Sequence, residues 1–387
     1  MMMPKTTGAT GKYFLFTSFT YMLGLVYLGV TALVYLSVFN LAVGLILGLS
    51  IARSDRMSQL ATFLLPMVVL AAVNIMVSTD QTESALRWAL WLIMLVSMAH
   101  LASACDAIED LGLIRLLPWG MFIIWIAQRQ TASSAEDPAL AEASLHLSAF
   151  FGTLMVATGI FQPNVFLRVM FVLVGAYGAL TSGSRAAFIL FPFVFLAAGL
   201  YYARSRVMGG AAVLLPLLLI LGIMSNDGLR SATFGKKETY VGLTDTEDAL
   251  RSLDDRAWLR EVALDMLWDR PLGYGYGNTY SIPGARDRSR GTNFHNGQLN
   301  VGVAMGLHFM AAYIVFWVWL IFSVATDRHL PRLTRYFTLS VLICVTLRSA
   351  TEDFTLFDLG NPTSSLVVFL IMAFVMKRRH LSSSLQA

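Results

Sequence analysis

The sequence predicts an all-α polytopic membrane protein with about twelve transmembrane helices and one large outer loop. Three observations predict it. Hydrophobic residues make up 56% of the 387-residue chain and charged ones only 13%, a balance suited to lipid. The apolar residues fall into blocks long enough to cross roughly 30 Å of hydrocarbon. Lysines and arginines gather in alternate loops between those blocks, the bias that sets membrane topology.

Polar breaks divide the first half into candidate spans near residues 14–30, 31–51, 59–78, 85–105, 111–128 and 145–160. Residues 13–52 form one apolar run too long for a single span, so a turn near Gly29 to Thr31 must split it. The second half adds spans near 164–182, 185–202, 208–224, 298–324, 333–350 and 362–376. The chain then divides into residues 1–224 with nine spans, an outer loop over 225–297, and residues 298–387 with three spans and an inner tail. The polar start, Met1 to Lys12, runs into the first block without a small-residue cleavage site and is expected to lead into a retained anchor.

An even number of spans with the N-terminus inside places Arg53, Arg56, Arg204, Arg206, Arg328, Arg332, Arg335 and Lys377 to Arg379 on the inner side. The outer loops carry acid instead: Asp80 and Glu83, then Glu136, Asp137 and Glu142, then Glu352, Asp353 and Asp358. Arg185, Arg348 and the arginines of the long loop fall outside against this bias, which marks them as candidates for a specific role.

About seventy residues, Ser225 to His295, form that loop, too long for a connector. Ser252-Leu253-Asp254-Asp255 reads as a helix start and Arg270-Pro271-Leu272-Gly273 as a stop. On the helix between them, Arg256 and Arg260 share one face, and Leu259, Val262 and Met266 form an apolar stripe suited to packing on the membrane helices. Gly273-Tyr274-Gly275-Tyr276-Gly277-Asn278 has neither a strand before it nor a helix after it, so it reads as a tight substrate-adjacent turn containing Tyr274, not a dinucleotide loop.

Thr292-Asn293-Phe294-His295-Asn296-Gly297-Gln298-Leu299 sets a histidine where the loop re-enters an apolar segment. An unperturbed imidazole accepts a proton near neutral pH, so His295 is a candidate general base; the alternative is a histidine bonded to the backbone at a helix start. Arg185, in Thr181-Ser182-Gly183-Ser184-Arg185-Ala186, sits at an outer helix junction where its planar fork can clamp a phosphate or reach toward headgroups. Arg256 and Arg260 suit the same task, or pair with Asp255 and Glu261. Arg348, Glu352 and Asp353, on or beside the last outer loop, are candidates for binding a sugar or orienting His295.

Cys105 and Cys344 lack metal or redox spacing and read as packing residues. With no HExxH, no DxD and no paired carboxylates at metal spacing, a metal-independent reaction without a cofactor is expected. The net charge of +4 is spread over short loops with no aromatic-interleaved stripe, which argues against nucleic acid.

Three fragments resemble the O-antigen ligase and polymerase family: Ser184-Arg185-Ala186; Asp255-Arg256-Ala257-Trp258 leading through Arg270-Pro271-Leu272-Gly273-Tyr274-Gly275-Tyr276-Gly277-Asn278; and His295-Asn296 followed by Leu299 and Gly306. Phe309 stands where the ligase pattern expects a small residue or tyrosine. The resemblance implies a GT-C-like membrane scaffold in the bacterial inner membrane, with both termini cytoplasmic and a periplasmic site. It implies inverting transfer of a glycan from undecaprenyl diphosphate to the lipid A core, with polymerisation onto a second lipid-linked glycan as the alternative. His295, Arg185 and Arg256 would be catalytic, Arg260 would support the diphosphate, and Asn296 would orient His295. A polyprenyl-glycan transporter is the more remote reading; it would place ionisable residues near the bilayer midplane, whereas here they cluster at the outer boundary.

Overall fold

The computed structural model describes residues 9–23, 36, 38–40, 42–47, 54–104, 111–134, 138–181, 185–203, 214, 218, 259–277, 294, 296–351, 355–357 and 362–384. Among them there is no strand; the fold is all-α. The helices are α1 (Ala9–Leu23), α2 (Ser54–Val77), α3 (Gln81–Ala104), α4 (Leu111–Ser134), α5 (Pro138–Gly159), α6 (Val165–Leu180) and α7 (Arg185–Tyr202). Then come α8 (259–269), α9 (Gly297–Met305), α10 (Leu307–Thr326), α11 (Arg332–Thr351) and α12 (Pro362–Ser384).

Helix α10 and the stretch Gln81–Ser103 of α3 are long and apolar enough to cross a membrane, and shorter apolar stretches run through α2, α5, α6, α7 and α12. Several helices turn large apolar side chains outward. Val315, Val318 and Phe322 on α10 are 67%, 65% and 67% exposed, and α6 and α2 show similar rows at Phe166 and Leu173 and at Leu65 and Met76. Water would penalise such continuous apolar faces and hydrocarbon would not, so the helical architecture is membrane-protein-like. The expected span over 208–224 lies almost wholly outside the described residues, as does the turn near Gly29 to Thr31.

Two compact units divide the chain, one formed by residues 1–40, 106–248 and 323–347, the other by 41–105, 249–322 and 348–387. In the first, small residues let helices approach closely, the usual solution where lipid removes the hydrophobic drive for association. A Cβ on Gly152 of α5 would lie 2.8 Å from the Gly175 carbonyl oxygen, and one on Gly175 of α6 would lie 2.6 Å from that of Gly152. Gly120 of α4 leaves room for the Ser18 hydroxyl of α1, and Gly178 of α6 for the Trp125 indole of α4. At one end of this unit, the buried Gln162 donates its amide to the carbonyls of Ile114 (2.6 Å) and Arg115 (3.1 Å), the first of which lacks a helical donor because Pro118 has no N–H.

In the second unit, α3 packs against α2 and α12. The segment expected as one span over 298–324 is broken: α9 stops at Met305, Gly306 adopts φ 99°, and α10 starts at Leu307. Hydropathy is continuous across this break, so only the backbone reveals it. Helix α8 ends at Asp269, next to the expected stop at Arg270-Pro271. Its stripe of Leu259, Ala263 and Leu267 is buried, with Val262 and Met266 half-buried beside it. The lower part of that stripe joins Tyr274, Phe294 and Val303 in one cluster, against which Leu299, Leu307 and Met310 pack.

Candidate active site

The break between α9 and α10 frees backbone carbonyls that a buried position must satisfy. The glycine-rich turn after α8 supplies the donors: Tyr274 N–H donates to Val303 O (2.9 Å) and Gly275 N–H to Ala304 O (2.8 Å), while Leu307 N–H returns to Pro271 O (2.8 Å). The turn can lie this close because Gly273, Gly275 and Gly277 adopt φ of 87°, 107° and 89°. On its other side Thr79 N–H and its hydroxyl donate to Tyr274 O (2.9 and 3.0 Å), and Ser84 Oγ donates to Tyr276 O (3.0 Å). The turn thus joins the α2–α3 connection to the α9–α10 break.

Asn74, near the end of α2 and 3% exposed, holds this junction. Its Oδ1 accepts from Trp88 Nε1 (2.9 Å) and Tyr276 N–H (3.0 Å), and its Nδ2 donates to Ala304 O (3.1 Å). Replacing Asn74 with alanine strands two buried donors, each costing roughly 1–3 kcal/mol. We expect a net loss of about 2 kcal/mol after relaxation, read as a lower midpoint of unfolding in detergent, with glutamine failing to restore it.

Trp88 anchors an aromatic cluster, meeting Trp91, Tyr276, Phe309 and Phe357 edge-on with centroids 5.5 to 6.2 Å apart. Segment 355–357 is tied in by Trp91 Nε1 to Leu356 O (3.1 Å), by Leu356 N–H to Tyr313 Oη (3.3 Å), and by the Tyr276 hydroxyl, which donates to Phe357 O. Phe309 therefore fills a core position beneath the turn.

The candidate residues fall unevenly on this frame. His295, Arg256, Glu352 and Asp353 lie outside the described residues; Arg185 starts α7, but its side chain lies outside them too. Both neighbours of His295 are anchored. Phe294 is buried and donates its N–H to Asn300 Oδ1 (3.4 Å). Asn296 caps α9, accepting from Leu299 N–H (3.0 Å) at Oδ1 and donating from Nδ2 to Ala350 O (3.3 Å) on α11. Asn296 thus fixes the backbone beside His295 to the end of the helix that carries Arg348. Arg348 is itself buried, 3% exposed, in the last turn of α11, where a cation complements the helix dipole. Arg260 is exposed at the start of the described part of α8.

Tyr274, in the turn expected beside substrate, buries its ring, and its hydroxyl donates to Asp269 Oδ2 (2.9 Å), with the Arg270 guanidinium 5.2 Å from the ring centre. Burial raises its pKa above the ordinary 10.0, the Asp269 carboxylate adds to the rise, and Arg270 opposes it. A raised folded-state value means this contribution to stability is complete below about pH 10 and is lost as pH climbs through the folded value. Tyr274→Phe should therefore cost about 1 kcal/mol at pH 7 and flatten the alkaline loss of stability, both measurable by thermal unfolding at pH 7 and above pH 10.

The residues missed by sequence reasoning are Asn74, Trp88 and Ser84. Asn74 carried a usable signal, being an amide in the midst of the apolar stretch Leu65–Val77.

These features define a helical, membrane-protein-like chain whose polar groups converge on a turn at the break between two apolar helices. Residues 169–314 match the family model for O-antigen ligase, a segment that includes α7, the long loop, α8, α9 and the start of α10. The match supports the O-antigen ligase and polymerase family, membrane-embedded glycosyltransferase-like enzymes that act on polysaccharide and lipid substrates. No curated protein and no solved structure matches the chain.

Proposed function

We propose that this protein is an O-antigen ligase that moves a glycan from undecaprenyl diphosphate to a sugar of the lipid A core, with inversion at the anomeric carbon. The observation that carries the reading is the family match over 169–314, which contains Arg185, Arg256 and His295 together with the anchored turn and break. His295 takes the proton of the acceptor hydroxyl as its oxygen attacks the anomeric carbon. The bond from that carbon to the diphosphate oxygen breaks on the opposite face, and its electron pair leaves with undecaprenyl diphosphate. Arg185 and Arg256 bind the diphosphate and stabilise the charge that grows on it, with Arg260 in support. Asn296, as the helix cap, keeps the backbone beside His295 in place. Arg348, in the last turn of α11, and Glu352 and Asp353, which follow that helix in sequence, are the sugar-binding candidates.

The reading sets about twelve spans in a GT-C-like arrangement in the bacterial inner membrane, with the termini cytoplasmic and the site periplasmic. There the sugar must arrive already activated on a diphosphate, and no metal ion is required for arginines to hold it.

Reconstitution of the purified protein with undecaprenyl-diphosphate-linked glycan and rough lipopolysaccharide, with and without EDTA, tests this. Glycan joined to the lipid A core, insensitive to EDTA and lost in Arg185→Ala, supports the ligase. Longer lipid-linked chains over an unmodified acceptor identify a polymerase, and movement of the lipid-linked glycan across the bilayer without transfer identifies a transporter.

A further inference from the structure

Away from the turn, within the first unit, three arginines converge on three tyrosines. Arg168 of α6 lies over the Tyr202 ring at 5.3 Å, Arg332 of α11 over Tyr201 at 6.0 Å, and Arg335 over Tyr336 at 5.0 Å. The rings adjoin one another, Tyr201 to Tyr202 at 4.7 Å and Tyr201 to Tyr336 at 6.2 Å between centroids. The cations therefore share one aromatic platform at the end of the unit where α6 and α11 begin and α7 ends.

Capping explains part of this arrangement. Arg168 donates from Nε (2.9 Å) and Nη2 (2.6 Å) to Gln162 O, Arg332 from Nη2 to Leu200 O (2.9 Å), and Arg335 from Nη1 to Asp327 O (3.3 Å). All three acceptors are neutral carbonyls, and each guanidinium has five donors, so most of the donors remain. Arg335 Nε is buried with no hydrogen-bond partner. None of the three makes an ion pair with a described carboxylate. Three uncompensated charges around a platform, one with an orphaned N–H, suit an anion with several oxygens.

The surroundings give that anion a tail. Beside Arg168, α6 exposes Val165 (65%), Phe166 (75%) and Val169 (50%), an apolar surface continuous with a cationic head. The loop between α10 and α11 adds exposed Arg328. Loop charge assigns this same end to the inner side, where anionic headgroups attract basic clusters.

We propose that this end of the first unit binds the phosphate of an anionic lipid headgroup, with Arg168, Arg332 and Arg335 as the ligands and the outer face of α6 holding an acyl chain. The site needs a membrane but not glycan transfer, so it stands apart from the reading above.

Native mass spectrometry of the full chain, released from detergent carrying equal phosphatidylglycerol and phosphatidylcholine, reads the preference directly. Wild type is expected to retain phosphatidylglycerol preferentially, by about fivefold for each engaged arginine. Substituting all three arginines with glutamine should remove the preference. Because the arginines also cap helices, the single change Arg332→Gln, at an exposed position with one backbone bond, is the control that keeps its fold; it should lower the preference about fivefold with an unchanged unfolding midpoint. Equal retention of the two lipids by wild type overturns the proposal, as does a preference that survives Arg332→Gln and the triple change. Millimolar inorganic phosphate should fail to displace the lipid; phosphate that binds with no lipid retained would make this a free-anion site and sink the lipid assignment.

Discussion

Replacing His295 with alanine is expected to lower glycan transfer by roughly 10²- to 10⁴-fold, the range a positioned general base contributes. The fold should tolerate the change, because the backbone on either side is held by other residues: Phe294 is buried in the α8 and α9 cluster, and Asn296 is bonded both to Leu299 and to Ala350. A histidine that only stabilised a helix start would give the opposite pair of results, with stability falling and transfer barely altered. The pH profile adds a second readout. If the neutral imidazole of His295 removes the acceptor proton, transfer rises with pH in wild type as the imidazolium form is lost. The residual activity of His295→Ala should lack that limb. Retention of more than half of the wild-type turnover would exclude His295 as the base.

The same residue shows how far the sequence could be read. His295, Arg185 and Arg256 stand out because charged and titratable side chains are conspicuous against long apolar blocks, and polar breaks delimit helices such as α3, α5 and α7 for the same reason. The stop at Arg270-Pro271 was also legible, being a local pattern, whereas of the expected stripe of α8 only Leu259 is fully buried, with Ala263 and Leu267 in place of the half-buried Val262 and Met266. What carries the junction is not local. Asn74 bonds to Ala304, 230 positions away, and Ser84 bonds to Tyr276, 192 away, and no periodicity encodes such pairs. Nor does the sequence show that, within the turn read as substrate-adjacent, the Tyr274 ring packs inward and its hydroxyl turns to Asp269. The break at Gly306 was hidden because leucine, valine and methionine flank it on both sides, so hydropathy alone fuses α9 and α10.

That break is where the largest structural effect is expected. Gly306 has φ 99° and ψ 162°, a region occupied almost only by glycine and costing other residues about 1–3 kcal/mol. A side chain there also has nowhere to go: its Cβ would lie 2.7 Å from Pro271 O and 2.8 Å from the Leu272 carbonyl carbon. Gly273 opposes it with φ 87°, and a Cβ on Gly273 would lie 2.5 Å from Gly306 N and 2.8 Å from Ala304 O. These obstacles are backbone atoms of the paired strand-like contact, so relief requires the turn to leave the break. That exposes the carbonyls of Val303 and Ala304, whose donors come from Tyr274 and Gly275. Strain and overpacking together set the cost of Gly306→Val or Gly273→Val at about 4 kcal/mol. We expect either variant to unfold at markedly lower denaturant and to lose transfer, since the turn and the segment bearing His295 pack in one cluster through Tyr274 and Phe294. Denaturant titration in detergent, paired with amide exchange at Tyr274 and Gly275, separates the possibilities. Fast exchange at both amides with α3 still protected means the turn has detached, whereas a valine variant with wild-type midpoint and protection would show that the break does not depend on its glycines.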